Sequence, residues 1–238
     1  MSILLKQVFI GLPKTVGMKE AKNPMEREWT SAIFKEPVLG PVWVGKTGLT
    51  GDGQWDTEHH GGPEKAVFAY AFENYTYWQK EHGISEITAG AMGENFVMEQ
   101  ITEEMISIGD TFKIGEAVVQ VSQPRQPCWK PARRFRVKTL ALLIQNTGRT
   151  GWYFRVLQEG VVESGQTFTL VDRPYPQWTI EKCNQVIHAK QQNFEEVRKL
   201  SNCELLAPGM RETLANRAQM METPDIRSRV YGPNDGLD

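Results

Sequence analysis

The chain is poor in cysteine, in histidine and in long apolar runs. Its 238 residues include three cysteines (Cys128, Cys183 and Cys203) and four histidines. An odd number of widely spaced cysteines excludes a disulfide framework and suits a reducing, cytoplasmic setting. His59, His60 and Cys128 lack the paired-ligand spacing of a structural zinc site. No stretch approaches the roughly 20 apolar residues of a membrane span, so no membrane partner is expected. The apolar run from Ile3 to Ile10 has no basic leader or small-residue cleavage site, and reads as a first strand rather than a targeting signal. An excess of one charge is also missing. The 27 Lys and Arg against 29 Asp and Glu leave a net charge of −2. A nucleic-acid partner is therefore not expected, and any anion site must be local. There is no phosphate-binding G-x-x-x-x-G-K-[ST] loop, nucleophile elbow or H-E-x-x-H pair, and no flavin or iron–sulfur motif, internal repeat or low-complexity tract.

What is present is an ordinary globular balance, 40% hydrophobic and 24% charged, enough to bury a core. From residue 1 to 172 short β-branched and aromatic runs alternate with glycine: Val8–Ile10, Ala66–Tyr70, Asn95–Val97, Val118–Val121 and Thr167–Leu170. Many short strands at irregular spacing predict a closed barrel rather than a sandwich. The spacing of Tyr75 and Trp78 before Gly83 predicts a helix over 73–82, and a second is expected over 138–145. Pro174 and Pro176 mark a linker. Beyond it three helical patterns follow, one from Thr179, one capped by Asn193 with Glu196 three residues on, and one starting at Pro208. The expected organisation is a mainly β, α+β chain: a barrel over 1–172, a three-helix unit over 173–222 and a loose tail over 223–238.

The chemistry concentrates around Cys128, in the run Gln123-Pro124-Arg125-Gln126-Pro127-Cys128-Trp129-Lys130-Pro131-Ala132-Arg133-Arg134. Two prolines stiffen the backbone before the thiol. Arg125, Lys130, Arg133 and Arg134 lie within six positions of it, and nearby positive charge favours the thiolate, the form that acts as nucleophile and metal ligand. This setting points to a reactive or metal-binding sulfur rather than one buried in an apolar core. A second cluster, His60-Gly61-Gly62-Pro63-Glu64-Lys65, places a close-approach glycine pair beside an imidazole and an ammonium, or forms a simple tight turn. Gly93-Glu94-Asn95 presents a carboxylate and an amide at a strand start, or a capped hairpin turn. Gly148-Arg149-Thr150-Gly151 brackets an arginine with glycines that suit phosphate. Cys183 and Cys203 fall among apolar helical residues and read as core thiols.

These pieces, in this order, resemble the MOSC family, and within it the bacterial stand-alone YiiM-type branch with its C-terminal three-helix extension. The matching residues are Gly48-Leu49 to Asp52, His60 to Val67, Gly93-Glu94-Asn95, Gln123 to Cys128 and Gly148 to Trp152; Glu64 stands where many relatives carry Asp. The resemblance implies a closed, mostly antiparallel β-barrel with the cysteine at a cleft. It implies a molybdenum cofactor (molybdopterin) with Cys128 as the molybdenum ligand. It further implies reduction of small N-hydroxylated bases or related N–O compounds, using electrons from a separate flavoprotein. On this basis Cys128, His60, Glu94 and Asp56 are the candidate catalytic residues. Lys65, Gly61, Gly62, Asn95, Gln123, Arg125, Arg133, Arg134 and Arg149 are the candidate cofactor contacts. Two other readings use the same cysteine: persulfide sulfur transfer, and non-catalytic carriage of the cofactor. The family is also associated with pyridoxal phosphate, but no Schiff-base lysine motif supports that here.

Overall fold

The computed structural model describes residues 2–56, 61–189, 191 and 193–235. His59 and His60 therefore lie outside the described residues. The strands are β1 (Ile3–Ile10), β2 (Lys14–Val16), β3 (Trp29–Ser31), β4 (Glu36–Pro37), β5 (Val42–Gly45), β6 (Gly48–Leu49) and β7 (Val67–Ala71). They continue with β8 (Phe96–Glu99), β9 (Thr111–Ile114), β10 (Ala117–Pro124), β11 (Trp152–Gln158), β12 (Gly160–Val162) and β13 (Thr167–Asp172). Seven close into a barrel in the order β1-β8-β7-β11-β10-β9-β13 and back to β1. All pairs are antiparallel except β7 with β8, whose parallel pairing is served by the crossover helix Glu73–His82 between them. A bulge in β1 between Leu5 and Gln7 bends that strand, so one end pairs with β13 and the other with β4. The expected barrel is observed.

Inward-facing aromatics fill the barrel. Phe154 stacks on Phe168 at 6.2 Å, and Phe112 meets both edge-on at 6.2 and 5.9 Å. β7 is buried along its whole length because both of its faces are covered. Val67 and Ala69 belong to the barrel core, while Phe68 and Tyr70 face a second cluster with Tyr75, Trp78 and Tyr153. That second cluster forms the wall on which the candidate site rests.

The helix Leu140–Thr147 falls close to the expected 138–145 and ends at Gly148, whose φ of 70° suits glycine. A helix that the sequence does not announce, Trp129–Phe135, starts directly after Cys128. Pro131 is tolerated because it lies within the first turn. The three expected C-terminal helices are Ile180–His188, Phe194–Ser201 and Pro208–Met220. The Thr179 side chain caps the first by accepting from Lys182 N, and Asn193 caps the second by accepting from Glu195 N and Glu196 N. They share one continuous apolar core with the barrel and are sutured to it by Ala207 N to Ser122 O at 2.9 Å and Ile180 N to Ile106 O at 2.8 Å.

The stretch after Met221 departs from expectation. Residues 223–235 do not hang loose: a turn, Gly232–Asp235, packs against the helix that follows Cys128, and a short helix, Arg227–Val230, packs against that turn. Val230 is completely buried. Asn234 accepts from Arg133 Nε at 2.7 Å and donates to Trp129 O at 3.1 Å, and Asp235 pairs with Lys138 at 2.9 Å. The polar, proline-containing composition reads as unstructured because these partners lie about a hundred residues upstream in the chain and leave no local signal.

Candidate functional site

β10 carries the chain to Pro124, and Arg125 N is held by Gly151 O at 3.1 Å. The next residues run extended to Cys128 (φ −121°, ψ 170°), which occupies the capping position of the helix Trp129–Phe135. The thiol is 8% exposed, more buried than its cationic sequence setting suggests, yet it is not sealed in apolar core. Cys128 lines two cavities at once, a narrow one of about 80 Å³ and a broad groove of about 770 Å³. Arg125 Nη2 donates to Cys128 Sγ at 3.8 Å, and its guanidinium lies over the Phe68 ring at 5.2 Å. Burial pushes the neighbouring Tyr153 phenol up to about 12 against the opposing pull of Arg125, so its hydroxyl stays protonated.

The narrow cavity is lined by Lys35, Asp56, Phe68, Asn95, Arg125 and Tyr153 beside the thiol. Its floor is a fully bonded polar network. Asp52 pairs with Lys35, accepts from Gly11 N at 2.8 Å and takes Asn95 Nδ2 at 2.9 Å, while Asn95 Oδ1 accepts from Phe68 N at 3.1 Å. Burial pushes the Lys35 ammonium down, offset by Asp52. Lys35 is a site residue that sequence reasoning does not find, since no motif surrounds it. Asp52 was within reach, as it closes the Gly48-to-Asp52 segment.

The broad groove runs between the barrel and the C-terminal helices. On the barrel side it is lined by Asp56, Gly61, Gly62, Lys65, Gln123 and Cys128. Gly62, at φ 89°, makes the turn that points Lys65 into the groove. Glu64 anchors that turn through Arg155, whose Nε donates to Oε2 at 2.8 Å. Burial pushes Lys65 down, with Asp56 opposing.

Four of the expected site residues are used elsewhere. Glu94 is fully buried and lines neither cavity. It accepts from Tyr75 OH, from Gly90 N at 2.6 Å and from Met92 N at 3.0 Å, and so staples the loop that carries Asn95. Burial raises its pKa, while these bonds lower it. Arg134 straps two loops together by donating to Ile33 O at 2.6 Å and to Ala91 O at 2.9 Å. Arg133 stacks on Trp129 at 4.7 Å and holds Asn234. Arg149 bonds Asn74 Oδ1 at 2.8 Å and stacks on Tyr77 at 4.0 Å, outside both cavities. Glu94→Ala is expected to strand three buried donors and cost about 2–4 kcal/mol, read as a lowered urea midpoint. An unchanged midpoint with lost activity would instead return Glu94 to the chemistry.

A domain model described as the MOSC domain matches residues 56–169, and one described as the YiiM-like 3-alpha helix domain matches 178–219. The chain is 38% identical to the Bacillus subtilis protein YflK over 82% of its own length and 85% of the relative's. The chain belongs to the MOSC family. Its fold is likewise that of a YiiM crystal structure from Geobacillus stearothermophilus, with a TM-score of 0.75 and 36% identity over 91% of this chain and 99% of that one. A Gibberella moniliformis protein named reductase is 38% identical over 71% of this chain, which spans 30% of the fungal protein. In this MOSC chain the cysteine, Asp56, the Gly61–Lys65 turn and Asn95 converge on one site, as do Gln123 and Arg125. Among the described residues no helix is long and apolar enough to cross a membrane.

Proposed function

We propose that this MOSC protein binds molybdenum cofactor in the groove beside Cys128 and reduces small N-hydroxylated bases or related N–O compounds in the cytoplasm. A separate flavoprotein would supply the electrons. The observation that carries this reading is the position of the Cys128 sulfur between a broad, cation-bearing groove and a narrow polar cavity. Among the described residues no group of three or more His, Cys, Asp or Glu side chains could hold a metal alone. Among the described residues Cys128 is the soft donor at the groove, and a soft thiolate suits a metal that brings sulfur donors of its own. The groove volume and its mixed lining fit a pterin, with Lys65 and Gln123 on the barrel side and Gly61 and Gly62 allowing close backbone approach.

When bound, the cofactor supplies the two-electron, oxygen-accepting chemistry that no side chain here provides. The residues of the chain do the rest. Cys128 ligates the metal. Arg125 holds the sulfur in place and neutralises it. Asn95, fixed by Asp52, Phe9 O and Phe68 N, holds the floor of the narrow cavity in place beside the substrate. Asp56, lining both cavities beside Lys65, passes the protons that N–O reduction consumes: two electrons and two protons convert N–OH to N–H and water. The fungal relative's name, reductase, supports the reaction class.

The test is molybdenum by elemental mass spectrometry on protein from a host able to make the cofactor. Near-stoichiometric molybdenum with turnover of an N-hydroxylated purine is expected. Metal-free protein carrying cyanide-releasable sulfur would replace reduction with persulfide transfer, and bound cofactor without turnover would leave a carrier.

A further inference from the structure

The narrow cavity adjoins a third hollow that the chemistry above does not use. This cleft, of about 710 Å³, shares Trp55, Asp56 and Lys130 with the cavity. Trp29 and Trp129 also line it, their rings 5.6 Å apart. Trp55 is 64% exposed, the most exposed of the seven tryptophans, and no aromatic ring pairs with it among the described residues. An indole is a large apolar surface that folding normally hides. One left in water at the mouth of a cavity offers its face to a flat partner. Directly before it, Gln54 lines the narrow cavity. Its side-chain oxygen is sealed from solvent and has no hydrogen-bond partner among the described residues. A buried acceptor without a donor is costly unless a ligand supplies one. The segment is firmly placed, because Gly53 N donates to Gly11 O at 2.9 Å and Asp52 accepts from Gly11 N at 2.8 Å. At about 80 Å³ the cavity falls well below the roughly 300 Å³ of a typical ligand pocket. A base can put an edge into it and must leave its ring outside, against Trp55.

We propose that Gln54 and Trp55 form the site that recognises the base, and that they set a preference for flat, aromatic N-hydroxylated substrates over non-aromatic N–O compounds. The indole stacks on the face of the ring. The Gln54 amide meets the edge that carries the exocyclic nitrogen, its oxygen accepting the N–H that the protein leaves unmatched, as a glutamine amide pairs with an adenine edge. The exocyclic N–O group then lies in the cavity that Asp56 and Cys128 both line. Cofactor and base reach the sulfur from different hollows, the cofactor along the groove and the base from the tryptophan cleft. That the bound base is a substrate rests on the function proposed above; the recognition of a flat base does not.

The test reads binding and discrimination separately. Calorimetry on full-length protein, whatever its molybdenum content, measures the affinity for adenine and for unsubstituted purine. Adenine affinity should fall at least about tenfold in Trp55→Leu and return to within about threefold in Trp55→Phe, as a stacking ring is removed and restored. Gln54→Leu should weaken adenine about fivefold and leave purine, which has no exocyclic amine, unchanged. Adenine should quench the tryptophan fluorescence of wild type, and the quenching should be largely lost in Trp55→Phe, a signature that a merely structural Trp55 would not give. In cofactor-loaded enzyme, kcat/KM for N-hydroxylated adenine relative to that for hydroxylamine should drop at least about tenfold in Trp55→Leu, chiefly through KM. No adenine binding by wild type, or equal binding by wild type and Trp55→Leu, overturns the proposal even if reduction occurs. An unchanged ratio of the two substrates in the loaded variant overturns it as well. Trp55-dependent adenine binding in protein that acquires no molybdenum would sustain this site and remove the reductase.

Discussion

Cys128→Ser is expected to abolish N–O reduction, a loss of at least about a thousandfold, because a ligand that acts as one unit with its metal is lost as a whole. Serine preserves the volume and can still accept from Arg125, which now meets the sulfur at 3.8 Å. The fold should therefore survive, with stability within about 1 kcal/mol of wild type. What changes is the donor: a hydroxyl is harder and far less acidic than a thiol, and it binds a soft metal poorly. Measured together, kcat, molybdenum content and the urea midpoint separate these effects. More than a tenth of wild-type activity in Cys128→Ser would rule out ligation by this sulfur. Lost activity with full molybdenum content would instead place Cys128 at the substrate.

Removing residues 222–238 should have the second-largest effect, although the segment lies wholly outside the matched domain models. Truncation takes away Val230 from a fully buried position and both bonds of Asn234. It also removes the Arg229 guanidinium from Pro127 O, one residue before the thiol. The indole of Trp129 rests against Gly232, where a Cβ would collide with the ring. Together these contacts clamp the loop and the short helix that carry Cys128. A seven-residue helix has little stability of its own, so releasing the clamp should free the loop while the barrel stays folded. Alkylation of Cys128, followed residue by residue by mass spectrometry, should accelerate roughly 10- to 100-fold, the change expected when a few kcal/mol of local protection is lost. Cys183 and Cys203, buried in the shared core, should not change. Asn234→Ala, which removes two bonds without shortening the chain, should give a smaller effect in the same direction. Unchanged alkylation in both variants would show that the loop is rigid without its clasp.

Much of the barrel was legible because strand signals are local. Alternation, β-branched residues and glycine turns specify extended segments within windows of five to eight residues, and the helix over 73–82 announces its own stop at Gly83. The parallel pairing of β7 with β8 was not legible, since strand order depends on contacts across the sheet. Within the site, Cys128, Arg125, Asn95 and the Gly61–Lys65 turn stood out because proline, glycine and charge were crowded into short motifs. Glu94, Arg134 and Arg149 carried the right chemistry in those motifs, but Glu94 and Arg134 spend it on loops and Arg149 on the helix Glu73–His82: carboxylates satisfy buried N–H groups and guanidinia satisfy buried carbonyls as readily as they serve ligands.

By itself, the sequence determined the strand-and-turn grammar of a closed barrel, the three-helix extension and a thiol set in a stiff cationic loop. Each of those follows from backbone and side-chain chemistry within a few residues. The tertiary structure alone decided that Lys35 shares a cavity with Cys128, that Arg217 and Arg229 face the same groove from the far end of the chain, and that residues 223–235 clasp the cysteine loop. Those placements arise from burial and long-range hydrogen bonding between segments up to about a hundred residues apart, where the gain in packing outweighs any local preference of the segments themselves.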